Sequence, residues 1–146
     1  MQSSKRVYIL SVKLVKESSM LYKGRRIRRP QDYYELFKQF LGEVDREYFV
    51  VMCLDTKNQP PNISVVHIGS LNASLVHPRE IMKTAILSNA ASFILAHPHP
   101  SGEPSPEDIK VTERLQRVGE IIGIDVHDHI ILGEDNYISL KEKGFM

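Results

Sequence analysis

One cysteine in 146 residues, Cys53, excludes an internal disulfide and any zinc knuckle built on thiolates. It sits inside the apolar run 49–54 and reads as a buried, inert thiol rather than a nucleophile. No hydrophobic stretch approaches the roughly 20 residues needed to cross a bilayer, so no membrane segment is expected. The opening Met1-Gln2-Ser3-Ser4-Lys5-Arg6 is too short and polar for a signal peptide, and a cytoplasmic location is the expectation. An excess of one charge is missing too. At a net charge of +1 the whole molecule is not a polyanion binder by composition. Internal repeats and long linkers are absent. What remains has the ordinary apolar and charged content of a soluble globular protein, long enough for one domain over residues 1–146.

Hydrophobic periodicity then divides the chain. Residues 7–15 alternate loosely and are expected to form a strand, so that residues 1–30 comprise an N-terminal strand and a basic loop. Residues 31–42 carry Tyr33, Leu36, Phe37, Phe40 and Leu41 on one helical face, with Pro30 at a favoured start position. Residues 48–54 form a continuous apolar run, as in a strand buried on both faces. Turn residues 55–61 follow, and 63–68 are the expected returning antiparallel strand. Residues 78–89 read as a helix and 92–96 as a short buried strand. Residues 106–123 read as the clearest helix, with Val111, Leu115, Val118 and Ile122 recurring at spacings of four, three and four. Strands are expected at 126–132 and 137–140. The fold class is α/β, a central mixed sheet flanked by helices.

Chemistry concentrates where an apolar strand stops. His97-Pro98-His99 is followed by Ser105-Pro106-Glu107-Asp108. Two neutral nitrogen donors and one anionic oxygen are the ligand types of a catalytic zinc, which keeps its fourth position for water. Alternate residues of an extended segment point the same way, at most about 7 Å apart, so both imidazoles can converge on one ion. Pro98 favours an extended His97. Asp108 falls in the first turn of the next helix. The same residues also make an ordinary helix start, with Ser at the N-cap, Pro at N1 and an acid near the positive end of the helix dipole. Capping and ligation are compatible roles.

The segment His97-Pro98-His99-Pro100-Ser101-Gly102 with Ser105-Pro106-Glu107-Asp108 resembles the JAMM signature of MPN (JAB) domain metalloproteases, and more narrowly the RadC family. Further matching pieces are Glu47-Tyr48-Phe49, Leu54-Asp55-Thr56-Lys57-Asn58, Gly69-Ser70-Leu71, Val76-His77-Pro78-Arg79-Glu80 and Asp128-His129-Ile130-Ile131-Leu132-Gly133. The resemblance implies a JAB/MPN, cytidine-deaminase-like architecture and one zinc per chain held by His97, His99 and Asp108. It implies Glu47 as the catalytic base, which takes a proton from the zinc-bound water and passes it to the leaving amine. It implies Ser105 as a hydrogen-bond donor to the oxyanion. The substrate class would be a peptide or isopeptide. The family commonly carries an N-terminal helix-hairpin-helix region that has no counterpart in these residues. Its loop also commonly places seven residues between the second His and the Ser, where His99 and Ser105 here enclose five.

Two other features compete for attention. His127-Asp128-His129 lies in an expected strand, where alternation puts both imidazoles on one face and Asp128 on the other. The carboxylate could orient a metal-ligating His, or the group could be an ordinary paired strand. Lys23, Arg25, Arg26, Arg28 and Arg29 form the one basic cluster, able to contact nucleic acid phosphates or to serve as a solvated loop. Together with the RadC resemblance, which implies an association with DNA repair, this cluster motivates an alternative function: a DNA-repair-associated or nucleic-acid/protein-binding accessory module with a non-catalytic zinc. A nucleobase deaminase is disfavoured, because that chemistry needs a Pro-Cys-x-x-Cys.

Overall fold

Six of the seven side chains of strand β1 (Tyr48–Leu54) are buried, because this strand sits inside the sheet with layers on both faces. The computed structural model describes residues 2–23, 27–42, 48–68, 77–99 and 101–146. The elements follow in the order α1 (Pro30–Leu41), β1, β2 (Asn62–Ile68), α2 (Pro78–Leu87), β3 (Ser92–Pro98), α3 (Pro106–Ile122), β4 (Asp125–Leu132) and β5 (Tyr137–Ser139). The five strands form one sheet in the order β2-β1-β3-β4-β5. β1 runs antiparallel to both β2 and β3, and β4 antiparallel to β5. β3 and β4 are parallel, and α3 supplies the crossover that a parallel pair requires.

Alternation sorts the core into two layers. Phe49, Val51, Cys53, Phe93 and Leu95 pack against Ile81, Met82 and Ala85 of α2 and Val111 and Leu115 of α3. Val50, Met52, Leu54, Ile94 and Ala96 point the other way, onto Tyr33, Tyr34, Leu36 and Phe37 of α1. The mixed sheet flanked by helices expected from the sequence is thus an α/β/α sandwich. Cys53 is fully buried, and burial raises its thiol pKa, as suits an inert core residue.

Strand β4 breaks its own alternation. Val126 packs on the α2/α3 side, whereas Ile130 and Leu132 pack on the α1 side. The register against β3 jumps so that Phe93 faces Val126 and Ile94 faces Asp128, leaving His127 as the extra residue of a bulge. His127 therefore does not share a face with His129, as strict alternation had it. Its ring meets Tyr33 of α1 edge-on at 6.0 Å, while the His129 ring lies 5.5 Å from His97 on the α3 side.

Asp128 is the other product of that bulge. Its buried carboxylate accepts from the Tyr33 hydroxyl, the Ser139 hydroxyl and the backbone N–H groups of His129 (2.7 Å) and Lys141 (3.2 Å). Four donors, from α1, β4, β5 and the turn after β5, satisfy a charge that would otherwise be costly to bury. Burial, then the adjoining carboxylate, push the Tyr33 hydroxyl well above the ordinary tyrosine range.

One expected strand does not form. Residues 7–15 have no ladder partner, and Val7, Ile9 and Val15 are 87%, 101% and 78% exposed. Local alternation alone cannot hold a strand without an edge to bond to. The segment touches the body of the protein farther on, where Met20 and Tyr22 pack beneath α1 and Gln39 Nε2 donates to the Leu21 carbonyl (2.7 Å).

Candidate metal centre

The C-terminal end of β3 delivers His97 to the α2/α3 side of the sheet, where its side chain is buried. Helix α3 begins just beyond, and its start is a capping box. Ser105 Oγ accepts the Asp108 N–H (3.2 Å), and Asp108 Oδ2 accepts the Ser105 N–H (2.6 Å). This arrangement turns the Asp108 carboxylate back toward β3. Its second oxygen, Oδ1, lies 2.6 Å from His97 Nε2, with both side chains almost wholly buried. The other ring nitrogen of His97 donates to the Pro98 carbonyl (3.0 Å). Burial opposes the Asp108 charge, but the His97 bond and charge and the Ser105 N–H outweigh it and hold the carboxyl below its ordinary value.

His129 completes the group from β4. One ligand atom each from His97, Asp108 and His129 lies within 4.8 Å of the others, and all three residues are buried. His129 Nδ1 is 2.7 Å from Thr112 Oγ1 on α3, and Phe49 covers the ring edge-on at 5.8 Å. His129 Nε2 is buried with no hydrogen-bond partner among the described residues. Burial first, then the neighbouring His97, keep its imidazole neutral well below the ordinary histidine pKa. A neutral imidazole with a bare, buried nitrogen beside a carboxylate and a second imidazole is the donor chemistry of a metal site. These residues fit a bound cation better than they fit an empty core, because an orphaned buried polar atom costs about 1–3 kcal/mol.

The residues singled out from sequence fare differently. His97 and Asp108 meet as expected. His99 is outside the group of three. Its ring is 6.2 Å from that of His97, and its Nδ1 is 2.7 Å from Ser101 Oγ and accepts the Ser101 N–H at 3.3 Å. Gly102, in the left-handed region at φ 70°, closes a turn by donating to the His99 carbonyl (2.9 Å), which draws Ser101 over the His99 ring. Ser105 is the N-cap of α3, with its oxygen engaged by Asp108 N–H and its hydroxyl hydrogen left for another acceptor. Glu47 lies outside the described residues, as do Arg25 and Arg26. Lys23, Arg28 and Arg29 are exposed, and the backbone N–H groups of Arg28 and Arg29 donate to Asp32 at the start of α1. Asp128 bonds the backbone of His129 rather than its imidazole, so it positions the strand, not the ring.

His129 was the ligand-type residue that sequence reasoning left unassigned. The signal was the Asp-His pair in an apolar strand, but the bulge that settles which imidazole faces α3 is not visible in a hydrophobic pattern.

Comparison with known proteins gives a consistent result. The family profile described as the RadC-like JAB domain matches residues 27–145. A UPF0758 protein of Methanosarcina barkeri is 52% identical over 124 residues, 84% of this chain and 54% of that protein. A UPF0758 protein of Desulforamulus reducens is 48% identical over 148 aligned residues, 92% of this chain and 65% of that protein. A third, from a Geobacillus strain, is 48% identical over 132 residues, covering 88% and 58%. The chain thus spans between about half and two thirds of the length of these relatives, whose names state no activity. No helix among the described residues is long and apolar enough to cross a membrane.

Proposed function

Because the chain belongs to the RadC-like JAB domain family, we propose that it is a zinc-dependent hydrolase of JAMM type that cleaves peptide or isopeptide bonds. The observation that carries this reading is the bare Nε2 of His129, buried beside His97 and Asp108. Two imidazoles and a carboxylate, with no sulfur donor, are the set that holds a catalytic rather than a structural zinc. His97 and Asp108 supply two ligands. The third is His99, which the family resemblance implies, or His129, which lies within reach of the same point. Bound there, zinc supplies a Lewis acid that polarises a carbonyl and lowers the pKa of water to about 7.

The protein's own groups do the rest. Asp108 is anchored at both oxygens, so it holds its place without reorganisation. Ser105, capped onto the same helix turn, keeps its hydroxyl hydrogen for an oxyanion. Phe49, buried against both His97 and His129, walls the site with an apolar ring and excludes water from that side. Glu47, one residue before β1, is the general base and later the acid for the leaving amine. The zinc-loaded chain and its Glu47→Gln variant, assayed on fluorogenic peptide and isopeptide substrates, test this. The variant is expected to keep its metal and lose on the order of 10²–10⁴ in turnover. Equal turnover by the two proteins contradicts the reading.

A further inference from the structure

The segment before α1 and the outer edge of the sheet are each incomplete, and in matching ways. Every residue from 2 to 19 is exposed, Tyr8, Leu10 and Val12 among them, so this arm rests on nothing in its own chain. In an extended arm Tyr8, Leu10, Val12 and Leu14 share one face, and Val7, Ile9, Ser11, Lys13 and Val15 the other. Strand β2 is the outermost of the sheet and bonds only to β1. Among the described residues its outer N–H and C=O groups therefore have no ladder partner. Residues 7–15, extended, span about 30 Å, enough to run along the whole of β2, about 23 Å.

The two faces of β2 differ as the two faces of the arm do. Ile63 and Val65 pair with Met52 and Val50, which face α1; Ile63 packs into that layer, and Val65 is left 40% exposed. Asn62 and Ser64 pair with Cys53 and Val51, which face α2. Asn62 Nδ2 donates to Ser88 Oγ (2.8 Å), but Asn62 Oδ1 and Ser64 Oγ are buried with no hydrogen-bond partner among the described residues. We propose that residues 7–15 form the outer strand of the sheet of a second copy, along β2, and that two copies exchange arms. With Tyr8, Leu10, Val12 and Leu14 toward α1, the arm continues the apolar layer past Val65. The same placement puts the Ser11 hydroxyl and the Lys13 ammonium on the α2 side, where Asn62 Oδ1 and Ser64 Oγ lack donors. Charge favours the same seat. Residues 1–29 hold nine Lys and Arg against one acid, Glu17, whereas residues 30–146 hold ten against seventeen Asp and Glu. The negative body attracts the arm and repels a nucleic acid. Exchange is reciprocal, so one two-fold operation fills both edges.

Light scattering over a concentration series measures the mass of the full chain and its variants, with circular dichroism reporting the fold of each. The native protein is expected at twice the mass of one chain. The double variant Leu10→Lys with Val12→Lys, and separately Val65→Lys, are expected to fold and to run as single chains. Ile121→Lys, at an 84% exposed position on α3, is expected to keep the dimer. Hydrogen exchange locates the contact: the native dimer is expected to slow exchange in residues 7–15 and at the outward amides of β2, and the double variant to lose both protections. A native protein that stays a single chain at every concentration overturns the proposal, whether its arm exchanges freely or is protected on its own β2. A dimer that Val65→Lys leaves intact overturns it too, as does an arm protected only when a short DNA duplex is added.

Discussion

His97 Nε2 lies 2.6 Å from Asp108 Oδ1, a contact that ties the end of β3 to the first turn of α3. The other oxygen of the same carboxylate closes the capping box with Ser105. One side chain therefore starts a helix, pairs with an imidazole and belongs to the group that could hold a metal.

Replacement of that carboxylate separates these roles from general folding. Asp108→Asn keeps the volume but removes the charge and one acceptor. It is expected to abolish zinc binding and to lower the zinc-free stability by about 1–3 kcal/mol, the cost of a lost cap and a buried polar group left unpaired. Urea unfolding with and without zinc reads both effects. The native chain is expected to gain stability from zinc, and the variant none.

Acid is expected to weaken the zinc-free protein in two stages. The His129 pKa is depressed in the folded state, mainly by burial, from an ordinary value of 6.5. As pH falls below that value the unfolded chain binds a proton that the folded chain refuses, so stability is lost. Asp108 is depressed from 3.8, so its contribution, present above that value, is lost only in stronger acid. The expected decline is about 2 kcal/mol between about pH 7 and pH 4.5, at 1.36 kcal/mol per pKa unit. Urea midpoints across that range check it. The decline is expected to flatten in His129→Gln, and an equal slope in both proteins contradicts the account.

Much of this was legible in advance, for physical reasons that can be named. Helix α3 declares itself through Val111 and Leu115 on one face and a Ser-Pro start, and the structure places Pro106–Ile122 where that pattern falls. The buried strand β1 shows as an unbroken apolar run because both its faces are covered. Periodicity failed where the outcome depends on a partner rather than on the segment. Residues 7–15 alternate like a strand but pair with none, and a single bulged residue in β4 separates His127 from His129. The third corner of the metal group was hidden for the same reason. Nothing local to the segment says that Thr112 on α3 will meet His129.

The Asp128 junction predicts stability effects away from the metal group. Tyr33→Phe removes one of four donors to a buried carboxylate and is expected to cost about 1.5–3 kcal/mol, as for a hydrogen bond to a charged group. Denaturant unfolding measures it. A change within experimental error contradicts the view that this contact holds α1 to β4.

Close packing of α3 against the start of β4 makes a further prediction. A Cβ at Gly119 would stand 2.3 Å from the Ile124 carbonyl oxygen, a backbone atom that cannot swing aside. Gly119→Ala is expected to destabilise by about 1–3 kcal/mol despite its better helix propensity. A stabilised variant, by thermal unfolding, contradicts the packing described.

The central claim is that two imidazoles and the Asp108 carboxylate hold one zinc. Elemental analysis of the dialysed, zinc-loaded chain tests it most directly, with His97→Ala as the control. The account predicts one zinc per chain in the native protein and none in the variant; a native protein without zinc, or equal metal in both, contradicts it.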